Sequence, residues 1–343
     1  MNSGKCIYPP VKVSLLDCSM VLFLSKSDIE TVMRIEEAIE AVEKGFKEIG
    51  NNTALSPPRP YLNIARYGGG ILLNMGYLEG AGYAGVKIAS SYPNNKSLGL
   101  PTVASLITLH DPKTGLPIAV MEGGYLTALK TGAVGGVAAK YLSRTSSEVA
   151  GIIGAGVQAR TQLWALCVVR KIAKAYVYSV NRSSSQKFSE EMSKLLGIDI
   201  HLSDTVKDLV VRSDIIVTAT TSNVPVFKGT WLSEGVHITG IGSFTADAAE
   251  IDEESLKRAG KAFVDNWEAL DVGDLRIALN AGAIAREKIY HLSDVVLGKI
   301  NGRKDEREIT IFKSVGGAAY DVAVSARAYE LAKNKGVGKE LEL

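Results

Sequence analysis

The segment EVAGIIGAGVQARTQLWAL (residues 148–166) runs from an apolar stretch through Gly154, Gly156 and Ala159 into a helical pattern, a Gly-x-Gly-x-x-Ala turn. At a strand-to-helix junction this is the chemistry of a dinucleotide clasp. Gly154 permits the tight turn, Gly156 lets the backbone approach a pyrophosphate, and Ala159 lets helix and strand pack closely. The first N–H groups of the helix, at Val157 and Gln158, face the anion. A bare glycine-rich turn would read the same way. The strand before it, the helix after it and a second strand at the right distance favour the nucleotide. That second strand ends roughly 20 or more residues on, where an acid often binds the ribose 2′-hydroxyl. Here the position holds Asn181, Arg182, Ser183, Ser184 and Ser185, with no acid. A guanidinium fork with hydroxyl donors suits a 2′-phosphate, so NADP(H) is expected ahead of NAD(H), which stays possible. The alternative is a solvated Arg in a Ser-rich turn. A second chemical signal is Lys87 in GVKIAS, a lysine flanked by apolar residues. Such a lysine is costly unless paired or functional, and a desolvated ammonium exchanges protons closer to neutrality. Its alternative is an outward-facing strand lysine.

The elements that must hold these groups follow from periodicity and breakers. Residues 19–25 (SMVLFLS) read as a strand, too short for a membrane span and lacking a basic leader. Residues 1–19 are expected to be a loose extension. A helix is expected over 27–49, from Ile29, Val32, Met33, Ile35, Ile39, Val42 and Phe46. SPPRPYL (56–62) must be extended. The runs GILLNMGYL, YAGVKIASSY, TVASLITLHD and PIAVMEGG, parted by YGGG and DPKTG, read as a mixed or antiparallel sheet. Beyond residue 125 comes a small-residue helix (126–142). Strands at 148–153, 175–180, 214–219, 236–241 and 262–265 then follow, with helices at 157–170 and 185–196. That alternation implies a parallel sheet covered on both faces. The fold class expected is α/β, a Rossmann dinucleotide-binding domain plus an α+β substrate-binding and dimerisation domain. The first domain spans residues 1–125, with 303–343 returning to it; the Rossmann domain spans 126–302.

Composition narrows the functional classes. The 343 residues carry 39 Lys+Arg against 37 Asp+Glu, a formal net charge of +2, so nothing points to nucleic acid or an anionic membrane as partner. Cys6, Cys18 and Cys167 are scattered, which fits a reducing, cytoplasmic setting rather than a disulfide framework. His110, His201, His237 and His291 lack ligand spacing and read as structural, and no metal is expected.

Beyond the glycine loop, the chain contains SPPRPYL, GYAGVKIASSYPNN, GLPTVASLITLHDPKTGLPIAVMEGGYLTALKTGAVGGVAAKYLSR, TATTSNVPVFKGTWLSEGVHITGIGSF and ITIFKSVGGAAYDVAV. Through these it resembles the ornithine cyclodeaminase/mu-crystallin family over nearly the whole chain from about residue 20. The resemblance implies a homodimer of two-domain subunits. It implies that Arg59 binds a substrate carboxylate and that Lys87, the catalytic candidate, faces the substrate nitrogen and carboxylate. Lys130, where several relatives carry Arg, would face the cofactor phosphates or that carboxylate, beside Thr131. Thr102, Thr220, Gly242, Ser243 and Ser314 would line the cofactor pocket. The cyclodeaminase and archaeal alanine dehydrogenase relatives place a catalytic Asp six residues before the Glu that matches Glu250. Here that position is Phe244, and Asp247 is too close to the Glu to be assigned the role. Phe244 suits a pocket for a small ring. The expected function is therefore NAD(P)H-dependent reduction of a cyclic imino acid, Δ1-pyrroline-2-carboxylate or Δ1-piperideine-2-carboxylate, to L-proline or L-pipecolate. Alanine dehydrogenase or ornithine cyclodeaminase activity is the alternative within enzymes. A non-catalytic, NADPH-bound binding protein of the mu-crystallin kind is the alternative outside them.

Overall fold

The computed structural model describes residues 20–342; the expected extension at residues 1–19, with Cys6 and Cys18, lies outside the described residues. The chain opens with β1 (Met20–Leu24), α1 (Lys26–Val32) and α2 (Ile35–Gly50). The helix expected over 27–49 is thus broken in two. Asp28 accepts the Ser25 N–H at 2.9 Å and the Ser25 hydroxyl accepts the Asp28 N–H at 3.3 Å, a reciprocal cap that starts α1. Met33 and Arg34 are then extended, and Glu37 accepts the Arg34 N–H at 3.0 Å to start α2 afresh. Periodicity ran through the break because Met33 is still buried.

β2 (Ala54–Leu55), β3 (Tyr61–Ile64), β4 (Gly69–Leu78), β5 (Tyr83–Ser91), β6 (Val103–His110), β7 (Pro117–Glu122) and α3 (Gly123–Leu142) complete the first run. The alternating run follows. It comprises β8 (Val149–Ile153), α4 (Val157–Val169), β9 (Lys174–Tyr178), α5 (Arg182–Leu196), β10 (Asp199–Leu202), α6 (Val206–Arg212), β11 (Ile215–Thr218) and β12 (His237–Gly240). Next come α7 (Glu253–Ala259), β13 (Ala262–Val264), α8 (Gly273–Asn280), β14 (Ile289–His291), α9 (Leu292–Val296) and β15 (Thr310–Lys313), then α10 (Ala318–Lys335) and β16 (Lys339–Glu342).

Two sheets result. The first has the order β16-β1-β7-β6-β5-β4-β2, with β3 also on β4; only β1 and β7 run parallel, so it is mixed. The second has the order β10-β9-β8-β11-β12-β15-β13-β14, parallel throughout. Its central strands are buried on both faces, as a parallel sheet flanked by helices requires. One expectation shifts here. Thr310–Lys313, assigned by sequence to the returning first domain, is a fully buried strand between β12 and β13 in the second sheet. The chain returns to the first sheet only with α10, which lies over β4 and β5: a Cβ on Gly76 would meet Ala318 and one on Gly85 would meet Val322.

α3 faces both units. Leu126, Leu129, Val134 and Val137 share one core with Ile39 and Phe46 of α2 and with Tyr320 of α10. On its other side Gly132, Gly135 and Gly136 let α4 come close, against Thr161, Gln162 and Ala165. The nucleotide helix and the cation-bearing sheet are therefore fixed to a common helix. No described helix is long and apolar enough to cross a membrane.

Candidate active site

The glycine turn has the geometry its residue types call for. Gly154 has φ +108°, a region closed to L side chains without strain, and a Cβ there would lie 2.3 Å from the Ala219 carbonyl oxygen. Gly156 is extended at the cap of α4, and no described atom lies within 4 Å of where its Cβ would stand. That vacant volume, beside the unpaired first-turn N–H groups of α4, is the cradle a pyrophosphate needs. Val157 is exposed at its rim, and the buried Gln158 Oε1 has no partner among the described residues. Ala159 is fully buried against the sheet. The turn thus fits a nicotinamide dinucleotide, which when bound supplies a hydride donor or acceptor.

The loop after β9 differs from expectation. α5 begins at Arg182, not Ser185, because the Asn181 side chain caps it by accepting the Ser184 N–H at 3.2 Å. Arg182 and Ser183 therefore lie in the first helical turn, and Asn181 Oδ1 is engaged by the cap. Arg182 is exposed and pairs with Asp204 at 2.9 Å.

The centre of the site is a buried ion cluster. Lys87 on β5 contacts both carboxylate oxygens of Asp321, at 2.9 and 2.8 Å. Asn74, its register partner on β4, donates Nδ2 to Asp321 Oδ2 at 3.0 Å. Lys130 on α3 stands 3.6 Å from Asp321 Oδ1 and makes no hydrogen bond among the described residues. All four side chains are buried. Burial pushes the Lys87 ammonium below the ordinary lysine value; Asp321 opposes that push, and Lys130 and Arg59 add to it. Burial alone would raise the Asp321 carboxyl, but Lys130 and Lys87 outweigh it and hold it below the usual carboxylate value. Two cations facing one anion leave a surplus positive charge, the complement of a small carboxylate. The cluster also meets the second sheet. Gly316, in the loop leaving β15, has φ +76°, and a Cβ there would lie 2.9 Å from Lys130 Nζ. The cations thus sit at the carboxyl ends of the parallel strands, the edge where such sheets bind ligands.

Arg59 reaches the same loop from the proline-rich segment. It donates to the Val315 carbonyl at 3.2 Å and pairs with Glu268. Phe244, on the loop after β12, is 76% exposed and lies outside the buried cluster. Asp247 is exposed and pairs with Arg276 at 3.1 Å, so it brings no acid into the cluster.

Several residues expected to face the cofactor are hydrogen-bonded within the protein. Glu250, fully buried, accepts Thr218 Oγ1 at 3.0 Å, Thr220 N–H and Oγ1 at 2.7 Å each, and Gly242 N–H at 2.6 Å. This ties together the carboxyl ends of β11 and β12. Ser243 is buried; its hydroxyl donates to Asp274 and receives Lys313 Nζ at 2.6 Å. Lys313, also fully buried, pairs with Asp274 at 2.7 Å. Ser314 donates to Asp265 at 2.6 Å, and the same carboxylate accepts the Val315 and Gly316 N–H groups at 2.9 Å each. The hydroxyls of Thr220, Ser243 and Ser314 are therefore committed to internal acceptors. The Thr131 carbonyl accepts from Gln162 at 2.7 Å, and Thr102 is exposed ahead of β6. Of the histidines, His237 is held to about 3 by burial, with Arg303 and Arg170 adding to the shift; it is a neutral bridge between Thr310 and Thr239.

Sequence reasoning missed Asp321, Asn74, Asp265, Asp274 and Lys313. Two carried the signal already applied to Lys87: Asn74 in ILLNMGYL and Lys313 in ITIFKS are polar groups inside apolar runs. Asp321 carried none, since an acid in the first turn of a helix is ordinary.

Comparison with known proteins agrees with this architecture. The structure of Thermococcus litoralis Δ1-pyrroline-2-carboxylate reductase in complex with NADH and L-proline superposes with a TM-score of 0.90 at 46% identity, covering 94% of this chain and 100% of that one. An archaeal alanine dehydrogenase dimer with bound NAD gives a TM-score of 0.88 at 38% identity, covering 94% and 99%. Alanine dehydrogenase of Archaeoglobus fulgidus is 39% identical over 94% of this chain and 98% of its own. The two structures hold a nicotinamide nucleotide, and this chain has their fold. The pattern of the ornithine cyclodeaminase/mu-crystallin family matches residues 20–336, and the chain belongs to that family.

Proposed function

We propose that the protein reduces a cyclic imino acid, Δ1-pyrroline-2-carboxylate or its six-membered homologue, to L-proline or L-pipecolate. The observation that carries this reading is the buried Lys87–Asp321–Lys130 cluster at the carboxyl edge of the dinucleotide sheet. Its surplus positive charge fits one carboxylate on a small substrate. The similarity to a reductase of this class that binds NADH and L-proline supports it. Lys130, which makes no hydrogen bond among the described residues, and Arg59 hold the substrate carboxylate. Hydride addition to the C=N carbon turns the π pair into a lone pair on nitrogen, and Lys87 gives that lone pair a proton. Its depressed pKa eases the transfer, and solvent restores the ammonium. Asp321 keeps Lys87 charged until then. Positioning supplies most of the rate.

NADPH is the preferred cofactor in this reading, because Arg182 and Ser183 stand in the first turn of α5 without an acid beside them on the loop. The Arg182–Asp204 pair is exposed on both sides and cheap for a 2′-phosphate to displace. The protein acts in the cytoplasm as a homodimer. The stretch from β3 to β6 exposes Tyr61, Leu62, Leu98, Leu100 and Val103, an apolar surface that a second copy would cover.

The test is direct. Purified protein is mixed with NADPH or NADH and each imino acid, and loss of reduced-cofactor absorbance is followed. No turnover with either ring size defeats the proposal. Alanine dehydrogenase is the second reading, favoured by the 39%-identical relative, and pyruvate with ammonia and NADH in the same assay reports it.

A further inference from the structure

Asn74 is buried in the middle of β4, directly opposite Lys87. Neighbours in register share a face of the sheet, and α10 covers this one, bringing Asp321 to both side chains. A carboxylate only accepts, so the Asn74 amide must turn its nitrogen to Asp321. Its Oδ1 is then left buried, with no partner among the described residues. An unpaired buried acceptor is unfavourable and rare in native interiors, and one beside a reacting centre points to a donor on the ligand. The other acceptor in the cluster is already used. Asp321 receives Lys87 on both oxygens and Asn74 on one, with Lys130 at 3.6 Å.

We propose that Asn74 Oδ1 accepts the ring N–H of the protonated cyclic imine and so makes the site selective for imines over 2-oxo acids. The inference rests on the imine-reductase reading above. A protonated cyclic imine carries one N–H in the plane of the ring. That proton stays on nitrogen throughout, since hydride adds to carbon and the new lone pair forms out of the plane, towards Lys87. Asn74 is a positioning residue that transfers nothing. A 2-oxo acid instead turns a carbonyl oxygen towards Oδ1, and two acceptors face each other without a proton.

The experiment compares two inhibitors of imine reduction at saturating reduced cofactor: L-proline and tetrahydrofuran-2-carboxylate, which replaces the ring N–H by oxygen. Wild-type protein should prefer proline by roughly 10- to 100-fold, the equivalent of one hydrogen bond from a charged donor. Asn74→Leu should reduce that preference to below about threefold, with the oxygen analogue binding no worse because its ring oxygen no longer faces an acceptor. Asn74→Asp keeps an acceptor and, sharing one proton with Asp321 as paired buried carboxylates do, should retain most of the preference. A preference that survives in Asn74→Leu overturns the proposal. So does an Asn74→Asp variant that loses it, because an acceptor at this position would then not account for the selectivity. Wild-type protein that reduces neither imine and binds no proline removes the reading beneath the proposal, and the proposal with it.

Discussion

Replacing Asp321 by Asn keeps the shape at the centre of the cluster and removes its only negative charge. At an effective dielectric of about 20, contacts of 2.8 Å to Lys87 and 3.6 Å to Lys130 represent gross attractions of about 6 and 5 kcal/mol. Desolvation of all three groups and the repulsion between the lysines cancel much of this. Removing one partner of a buried pair costs about 3–5 kcal/mol, chiefly because the remaining charge is stranded. Asp321→Asn is therefore expected to lower the unfolding free energy by about that amount at neutral pH, measured by urea denaturation. The loss should shrink as pH rises. Lys87 already has a folded pKa below its unfolded value, and losing Asp321 depresses it further. Between that depressed value and about 10.4 the unfolded chain binds more protons, so stability of the variant climbs with pH. Activity should move the other way. Proton delivery needs charged Lys87, so the basic limb of the kcat/KM profile should fall at lower pH in the variant than in the wild type. A stability loss under about 1 kcal/mol together with an unmoved basic limb would refute the view that Asp321 sets the charge of this cluster.

Other outcomes follow from single positions. Gly154→Ala places a Cβ 2.3 Å from a carbonyl oxygen at positive φ and should destabilise the fold by more than about 1 kcal/mol. Gly156→Ala, facing open space, should leave the melting temperature unchanged yet weaken reduced-cofactor binding by more than about tenfold, read by nucleotide fluorescence titration. Arg59→Ala should raise KM for the imino acid by roughly 10- to 100-fold with a smaller change in kcat, while Arg59→Lys recovers only part because the planar fork is lost. Arg182→Ala should raise KM for NADPH by about tenfold and leave that for NADH nearly unchanged; equal effects would exclude 2′-phosphate recognition by this residue.

Local pattern was enough for the parts of this protein that are built locally. The strand–glycine–helix turn at Gly154 and Gly156, the alternation of the second sheet, the extended segment at Arg59 and the cost of Lys87 in an apolar strand all follow from a few adjacent residues. What lies far apart along the chain was decided only by tertiary packing. Asp321 meets Lys87 across 234 positions, and Arg59 meets Glu268 across 209. Thr310–Lys313 joins the second sheet because its buried apolar strand fits between β12 and β13, not because of its place in the chain. Ser243, Ser314 and Thr220 are placed along the cofactor pocket by resemblance alone, and only packing shows that their hydroxyls bond Asp274, Asp265 and Glu250. Periodicity reports which face of an element is buried. It does not report which charge waits on the other side, and in a low-dielectric interior that distant partner fixes whether a lysine is charged, a hydroxyl is free and a pocket favours an anion.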